Sequence, residues 1–146
     1  MSKKKKPQLG KLPPQYRFFL NPYKDFRFTR CPQCDRRMRV RKHPFFIHID
    51  PQQPVIQNMT GKHCSNCDLL ILHQDKVEEL LAAALIGSNP DLIGNDYLVI
   101  GTVERKGWRE AQKNPYGLKS TLDYLHDFRE YVTFELENYG WGPADD

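Results

Sequence analysis

Apolar and polar positions change period several times along the chain, and each change marks an element. Between Arg36 and Lys42 they alternate, so Arg37, Arg39 and Arg41 fall on one face of a strand and Met38 and Val40 on the other. His43-Pro44 reads as an interruption. Residues 45–49 then predict a second strand, 50–54 a loop, 55–59 a further short strand and Thr60-Gly61 a turn. Residues 69–73, LLILH, form an unbroken apolar run of the kind a buried strand carries. At Asp75 the period lengthens. Val77, Leu80, Leu81, Ala84 and Leu85 share one stripe, which predicts a helix over 76–86, opened by an Asp75/Glu78 capping box and ended by Gly87 and Pro90. Residues 96–103 predict a buried strand and 106–113 a short helix. Residues 114–117 predict a turn. Leu122, Leu125 and Phe128 predict a helix over 121–130, with Ser120 and Asp123 at its start, and 131–136 predict a last strand.

Four segments follow from this pattern. Residues 1–14 read as a flexible basic arm, because the Lys3 to Lys6 run is followed by Pro7, Gly10, Pro13 and Pro14. Residues 15–74 hold an aromatic stretch and then the strands around the cysteines. Within 15–28, six aromatic residues interleave with Arg17, Lys24 and Arg27. Packing against the following strands is the leading expectation for them, and stacking on bases the alternative. Residues 75–139 form an α+β extension that packs on the preceding part, and 140–146 a tail. The net charge of +4 conceals an asymmetry. Residues 1–48 carry seven lysines and seven arginines against Asp25 and Asp35, a local charge of +12, and residues 49–146 carry −8. Such a division points to two faces with different partners, or to one face neutralising the other. No run of 18 apolar residues predicts a membrane helix, and no apolar stretch follows the basic start to make a secretory leader. A cytoplasmic location with reduced cysteines is the expectation.

The chain has four cysteines, in two pairs: Cys31-Pro32-Gln33-Cys34 and Cys64-Ser65-Asn66-Cys67. Each pair is followed by an aspartate, Asp35 and Asp68. Two C-x-x-C pairs separated by 29 residues supply the four thiolates of a tetrahedral metal site. In such a knuckle the residue after the second cysteine tends to a left-handed backbone, which glycine accepts best and aspartate tolerates. The pair CPQCD and CSNCD on predicted hairpins resembles a zinc ribbon, a fold group found in transcription factors, RNA-polymerase subunits and ribosomal proteins. The whole chain also resembles a family of bacterial proteins with a similar CPxCD ribbon, to which no activity is attached. The resemblance implies Cys31, Cys34, Cys64 and Cys67 as ligands of one structural Zn2+. A tetrathiolate site is closed, so its metal folds the chain and does not activate water. The same ligands hold iron in rubredoxin-like electron carriers, which leaves that metal as an alternative.

The remaining chemistry is sparse. His63 and His73 lie near the second pair, but with four cysteines present they read as surroundings of the site; His43, His48 and His126 show no ligand spacing. No nucleophile motif, paired carboxylates or phosphate loop is evident, so no enzymatic activity is expected. The best functional candidate is the basic group beside the first pair: Arg30, Arg36, Arg37, Arg39, Arg41 and Lys42. Alternate residues of a strand are about 6.5–7 Å apart, close to the spacing of phosphates on an extended nucleic-acid strand. RNA or DNA is therefore the first expected partner, an acidic protein surface the second, and the acids of 104–137 an internal alternative. Trp108, amid charge, is expected to be partly buried over the sheet. Together these readings describe an α+β chain: a small β-rich zinc ribbon with a C-terminal helix/strand extension. It would serve as a zinc-binding module that contacts nucleic acid or, alternatively, as a protein–protein adaptor in a larger assembly.

Overall fold

The computed structural model describes residues 8–113 and 121–135. Its strands are β1 (Arg17–Asn21), β2 (Arg39–Ile49), β3 (Gln53–Cys64), β4 (Leu69–His73), β5 (Tyr97–Val103), β6 (Leu125–Asp127) and β7 (Glu130–Tyr131). They form one curled mixed sheet in the order β6-β5-β2-β3-β4-β1-β7. Helices α1 (Gln74–Ile86) and α2 (Arg105–Lys113) complete it.

The expected small zinc ribbon with an appended extension is corrected by this sheet. The alternation that starts near Arg39 does not stop at His43-Pro44. Strand β2 runs through it for 11 residues and pairs with the 12 residues of β3 along its whole length. The half near the cysteines and the half that meets β5 are thus the same two strands. Pro44 is tolerated because β5 joins β2 only from Phe45 onward. At Pro44 the strand has a neighbour on one side only, where a missing N–H costs little. The aromatic segment supplies β1, which inserts parallel to β4 and to β7.

Alternation along these strands sorts the core into two faces. Phe18, Phe45, Ile47, Leu70, Leu72 and Val99 lie in one cluster with Val77, Leu81 and Leu85 of α1. Phe18 stacks on Phe128 with ring centroids 4.3 Å apart. Phe19, Phe28, Met38, Leu69 and Ile71 form a second cluster, which includes Cys31 and Cys64. A third gathers Phe46, Val103 and Leu125 under Trp108, which is half-buried as expected. Each fully buried side chain of this kind contributes about 1.5–3 kcal/mol.

Four further expectations differ. Thr60-Gly61 is not a turn: both residues lie within β3, paired with Lys42 and Arg41. Residues 121–130 are not a helix; a 3-10 turn at Leu122–Tyr124 leads into β6 and, past Phe128, into β7. Backbone pairing of 125–127 with β5 outweighs the local 3.6-residue period. The strand expected over 131–136 is reduced to Glu130–Tyr131, with no regular structure over 132–135. The capping box does not form. Helix α1 starts at Gln74 with His73 as N-cap and no side-chain cap, while Glu78 accepts from Gln74 Nε2 and the Tyr97 hydroxyl, both at 2.9 Å. The basic run Lys3–Lys6, the turn at 114–117, Ser120 and the tail lie outside the described residues. Residues 8–15 run along 122–127. The amides of Lys11, Leu12 and Gln15 donate to the carbonyls of Leu122, Leu125 and Asp127 at 2.9, 3.3 and 2.8 Å.

Candidate metal centre and basic strand

Each cysteine pair sits where two backbone stretches close on each other. Arg30 and Arg37 form a bridge around the first pair, and Met38 N donates to Thr29 O at 2.9 Å. The second pair is the turn between β3 and β4, with Cys64 opposite Leu69. Inside the first turn, Asp35 N donates to Cys31 O at 2.8 Å and Cys31 N to Arg36 O at 2.7 Å. Asp35 and Asp68 adopt φ of 68° and 55°, the left-handed conformation expected after each pair. Both turns deliver their sulfurs to one point. The four Sγ atoms all lie within 4.8 Å of one another, and Cys34 and Cys64 are 3.5 Å apart. None is in a disulfide.

These residues fit a tetrathiolate metal. Bonds of about 2.3 Å in a tetrahedron place sulfurs about 3.8 Å apart. Backbone N–H groups point at the sulfurs: Gln33 N reaches Cys31 Sγ at 3.4 Å, and the Arg36 amide bonds Cys34 Sγ. That amide, helped by Asn66 and the neighbouring thiols, lowers the Cys34 pKa to about 6 against the opposing effect of burial. Burial raises Cys31, and burial with the adjacent thiols pushes Cys67 up to about 12. Loading a metal must therefore displace protons from Cys31 and Cys67. Cys31 and Cys64 are buried against the second core cluster, while Cys34 and Cys67 are half-exposed. The four cysteines could hold one metal ion, tied directly to the apolar interior.

The basic residues flank this centre. Arg30, Arg36, Arg37, Arg39, Arg41 and Lys42 are all exposed. Arg39, Arg41 and Lys42 lie on β2 opposite His63, Gly61 and Thr60, on the stretch that β5 does not reach. Arg30 Nη1 donates to Asp35 O at 2.9 Å. None of the six forms a salt bridge among the described residues. Four acids of 104–135 are engaged elsewhere. Glu104 meets His126, Asp123 meets Lys11, Glu130 meets Arg17, and the Asp127 carboxylate accepts from the amides of Leu9 and Gly10. Val40, expected opposite the arginines, is 60% exposed among these cations.

One group escaped the sequence reading. Tyr16, itself left-handed at φ 66°, places its ring 5.6 Å from that of His43 and 5.3 Å from that of His63. His63 Nε2 lies 3.4 Å from Asp68 Oδ1, and Arg129 binds the other Asp68 oxygen. Burial, aided by His63, Arg105 and Arg41, lowers the His43 pKa. Burial and then Asp68 raise that of Tyr16. The alternation of β2 put His43 on the same face as Arg39 and Arg41, but the approach of β1 was not visible in any local pattern. The other histidines are structural partners: His73 Nε2 meets Tyr23 O at 3.0 Å, and His48 lies 3.8 Å from Asp50.

Comparison of the chain with protein-family models, curated proteins and solved structures gave no match. No helix among the described residues is long and apolar enough to cross a membrane.

Proposed function

We propose that the protein is a non-enzymatic, zinc-stabilised module that contacts RNA or DNA through the basic strand beside its metal centre. The observation that carries this reading is the set of exposed cations at 30–42 with no salt bridge among the described residues, while nearby acids bond to other groups. That arrangement disfavours the internal alternative, in which the stripe and the C-terminal acids neutralise each other. Phosphates are the oxyanions that guanidinium groups at strand spacing meet best. Zinc is favoured over iron because the four thiolates come with no other signature in the chain, which suits a closed structural site. When bound, zinc would neutralise the thiolates and lock both turns together.

A second reading has its own observation. Among the described residues, the outer edge of β2 between Arg39 and His43 has no strand beside it, and only Arg105 Nη2, 3.0 Å from Lys42 O, reaches its backbone. An acidic segment of a partner protein could add there as a strand, with side-chain charges matching Arg39 and Arg41. Charges on such an edge also guard it against self-association.

Salt titration separates the two. For nucleic acid, log affinity should fall linearly with log salt, and Arg37→Ala, Arg39→Ala and Arg41→Ala together should lower affinity across sequences and flatten the slope by roughly three phosphates. Unchanged affinity in the triple variant sinks the reading of this strand. Metal analysis of the purified protein decides the cofactor at the same time, since an oxidised iron tetrathiolate is red and a zinc one colourless.

A further inference from the structure

Strands β3 and β4 stay together for only three residues. Lys62, His63 and Cys64 pair with Ile71, Leu70 and Leu69. Beyond Lys62, β3 continues beside β2, while β4 runs on to His73 and turns into α1. The parting strands leave a pocket of about 250 Å³ between Met59–Lys62 and Leu72–Val77. Its floor is apolar, with Phe28, Met59, Leu72 and Val77. Its rim carries three cations, Arg27, Lys62 and Lys76, and no carboxylate lines it. Lys76 meets Glu79 at 3.4 Å, but both side chains are largely exposed and the pair holds weakly.

Two more features favour an anion with an apolar body. His73, Lys76 and Val77 bring the start of α1 to the pocket, and its N-cap His73 makes no side-chain cap, so the positive end of the helix lies beside this region. The pocket adjoins the basic strand. Its rim residues Thr60 and Lys62 pair across the ladder with Lys42 and Val40, so these four side chains share one face of the sheet. The volume lies below the ~300–1,000 Å³ of pockets that enclose drug-sized ligands and suits one ring system.

We propose that this pocket takes one nucleotide, its base on the apolar floor and its phosphate against Lys62, Lys76 and the open first turn of α1. The identity of the ligand rests on the nucleic-acid reading of the basic strand. A strand that reaches the pocket past Lys42 and Lys62, on the sheet face opposite Arg39 and Arg41, would place one unstacked base in it, so the protein would prefer single strands to duplex. The shared chemistry, an aromatic ring with a phosphate, also fits a free nucleotide.

The test is a titration of the zinc-loaded protein followed by amide proton–nitrogen spectra. The probes are adenosine 5′-monophosphate, a short single-stranded oligonucleotide and its blunt duplex. The mononucleotide should shift the amides of Thr60, Gly61, Lys76 and Val77 and saturate. The single strand should shift these and Arg39 to Lys42 together and bind at least tenfold tighter than the duplex. Lys62→Glu with Lys76→Glu should remove the pocket shifts and that preference while the dispersed spectrum of the folded protein persists. If both nucleic acids shift only the basic strand, the pocket proposal falls and the reading of the strand stands. Saturable mononucleotide binding in the pocket with no response to either oligomer supports a nucleotide site and overturns the strand reading. No shift with any probe overturns both.

Discussion

At the scale of single residues, the two aspartates that follow the cysteine pairs are the most informative positions. Both were expected in a left-handed conformation, and both have positive φ. Their side chains have different work. Asp68 holds His63 and Arg129, whereas Asp35 offers its backbone carbonyl to Arg30. Asp35→Gly should therefore be neutral or stabilise the metal-loaded protein by up to about 1 kcal/mol, and Asp35→Val should destabilise it by about 1–2 kcal/mol. Denaturant melts of the two variants decide this; equal midpoints would show that the turn relaxes without the left-handed residue. His43 makes a pH-dependent prediction. Its pKa is lowered in the folded chain, so the folded state binds fewer protons there than the unfolded state, whose histidine titrates near ~6.5. The contribution of neutral His43 is complete above that pH and is lost as pH falls toward the lower folded value. Its Nε2 is buried without a partner, so an apolar replacement is accommodated. His43→Leu should lose less stability than the parent chain between pH 7 and 5.5. Parallel pH profiles for both chains would refute the assignment.

At the scale of elements, what local patterns could show was recovered, and what depended on distant backbone was not. The run 69–73, the helix stripe from Val77 to Leu85 and the strand at 97–103 are periodic and mostly self-contained, and each appears within two residues of its expected bounds. The knuckles were legible because cysteine spacing and the residue after each pair encode a turn. The failures share one cause. The fate of 121–130, the continuity of β2 through Pro44 and the placement of β1 were decided by partners far along the chain, to which a local period is blind. Close approach makes the first of these testable. A Cβ at Gly101 would stand 2.0 Å from His126 O, and one at Gly10 would stand 2.1 Å from Leu125 O. His126 itself reaches Pro13 O at 2.8 Å and Glu104 Oε2 at 2.9 Å, and so ties residues 8–15, β5 and β6 together. His126→Ala should cost about 1–3 kcal/mol and expose 8–15 to proteolysis first. If the cleavage rate near Gly10 is unchanged, those residues do not depend on β6 for their place.

At the scale of the whole molecule, the corrected fold changes what a metal bound by the four cysteines would do. In a separate ribbon, loss of zinc would unfold only the ribbon. Here β2 and β3 carry the metal end and the rest of the sheet on the same backbone, and Cys31 and Cys64 belong to the cluster of Phe19, Phe28 and Ile71. Binding of such a metal is worth on the order of 10 kcal/mol. The stability of a whole domain is about 5–15 kcal/mol. The two are comparable, so removal of the proposed zinc should take the distant end of the sheet with it. Trp108 reports on that end, because it packs against Phe46 of β2, Val103 of β5 and Leu125 of β6. In a variant that keeps Trp108 as its single tryptophan, a strong chelator should shift the emission to the red with the same midpoint as the loss of β circular dichroism. Cys64→Ser should show the unfolded emission before any chelator is added. Should Trp108 keep its buried emission while the metal end unfolds, the shared strands do not couple the two ends, and a ribbon that folds on its own regains its place.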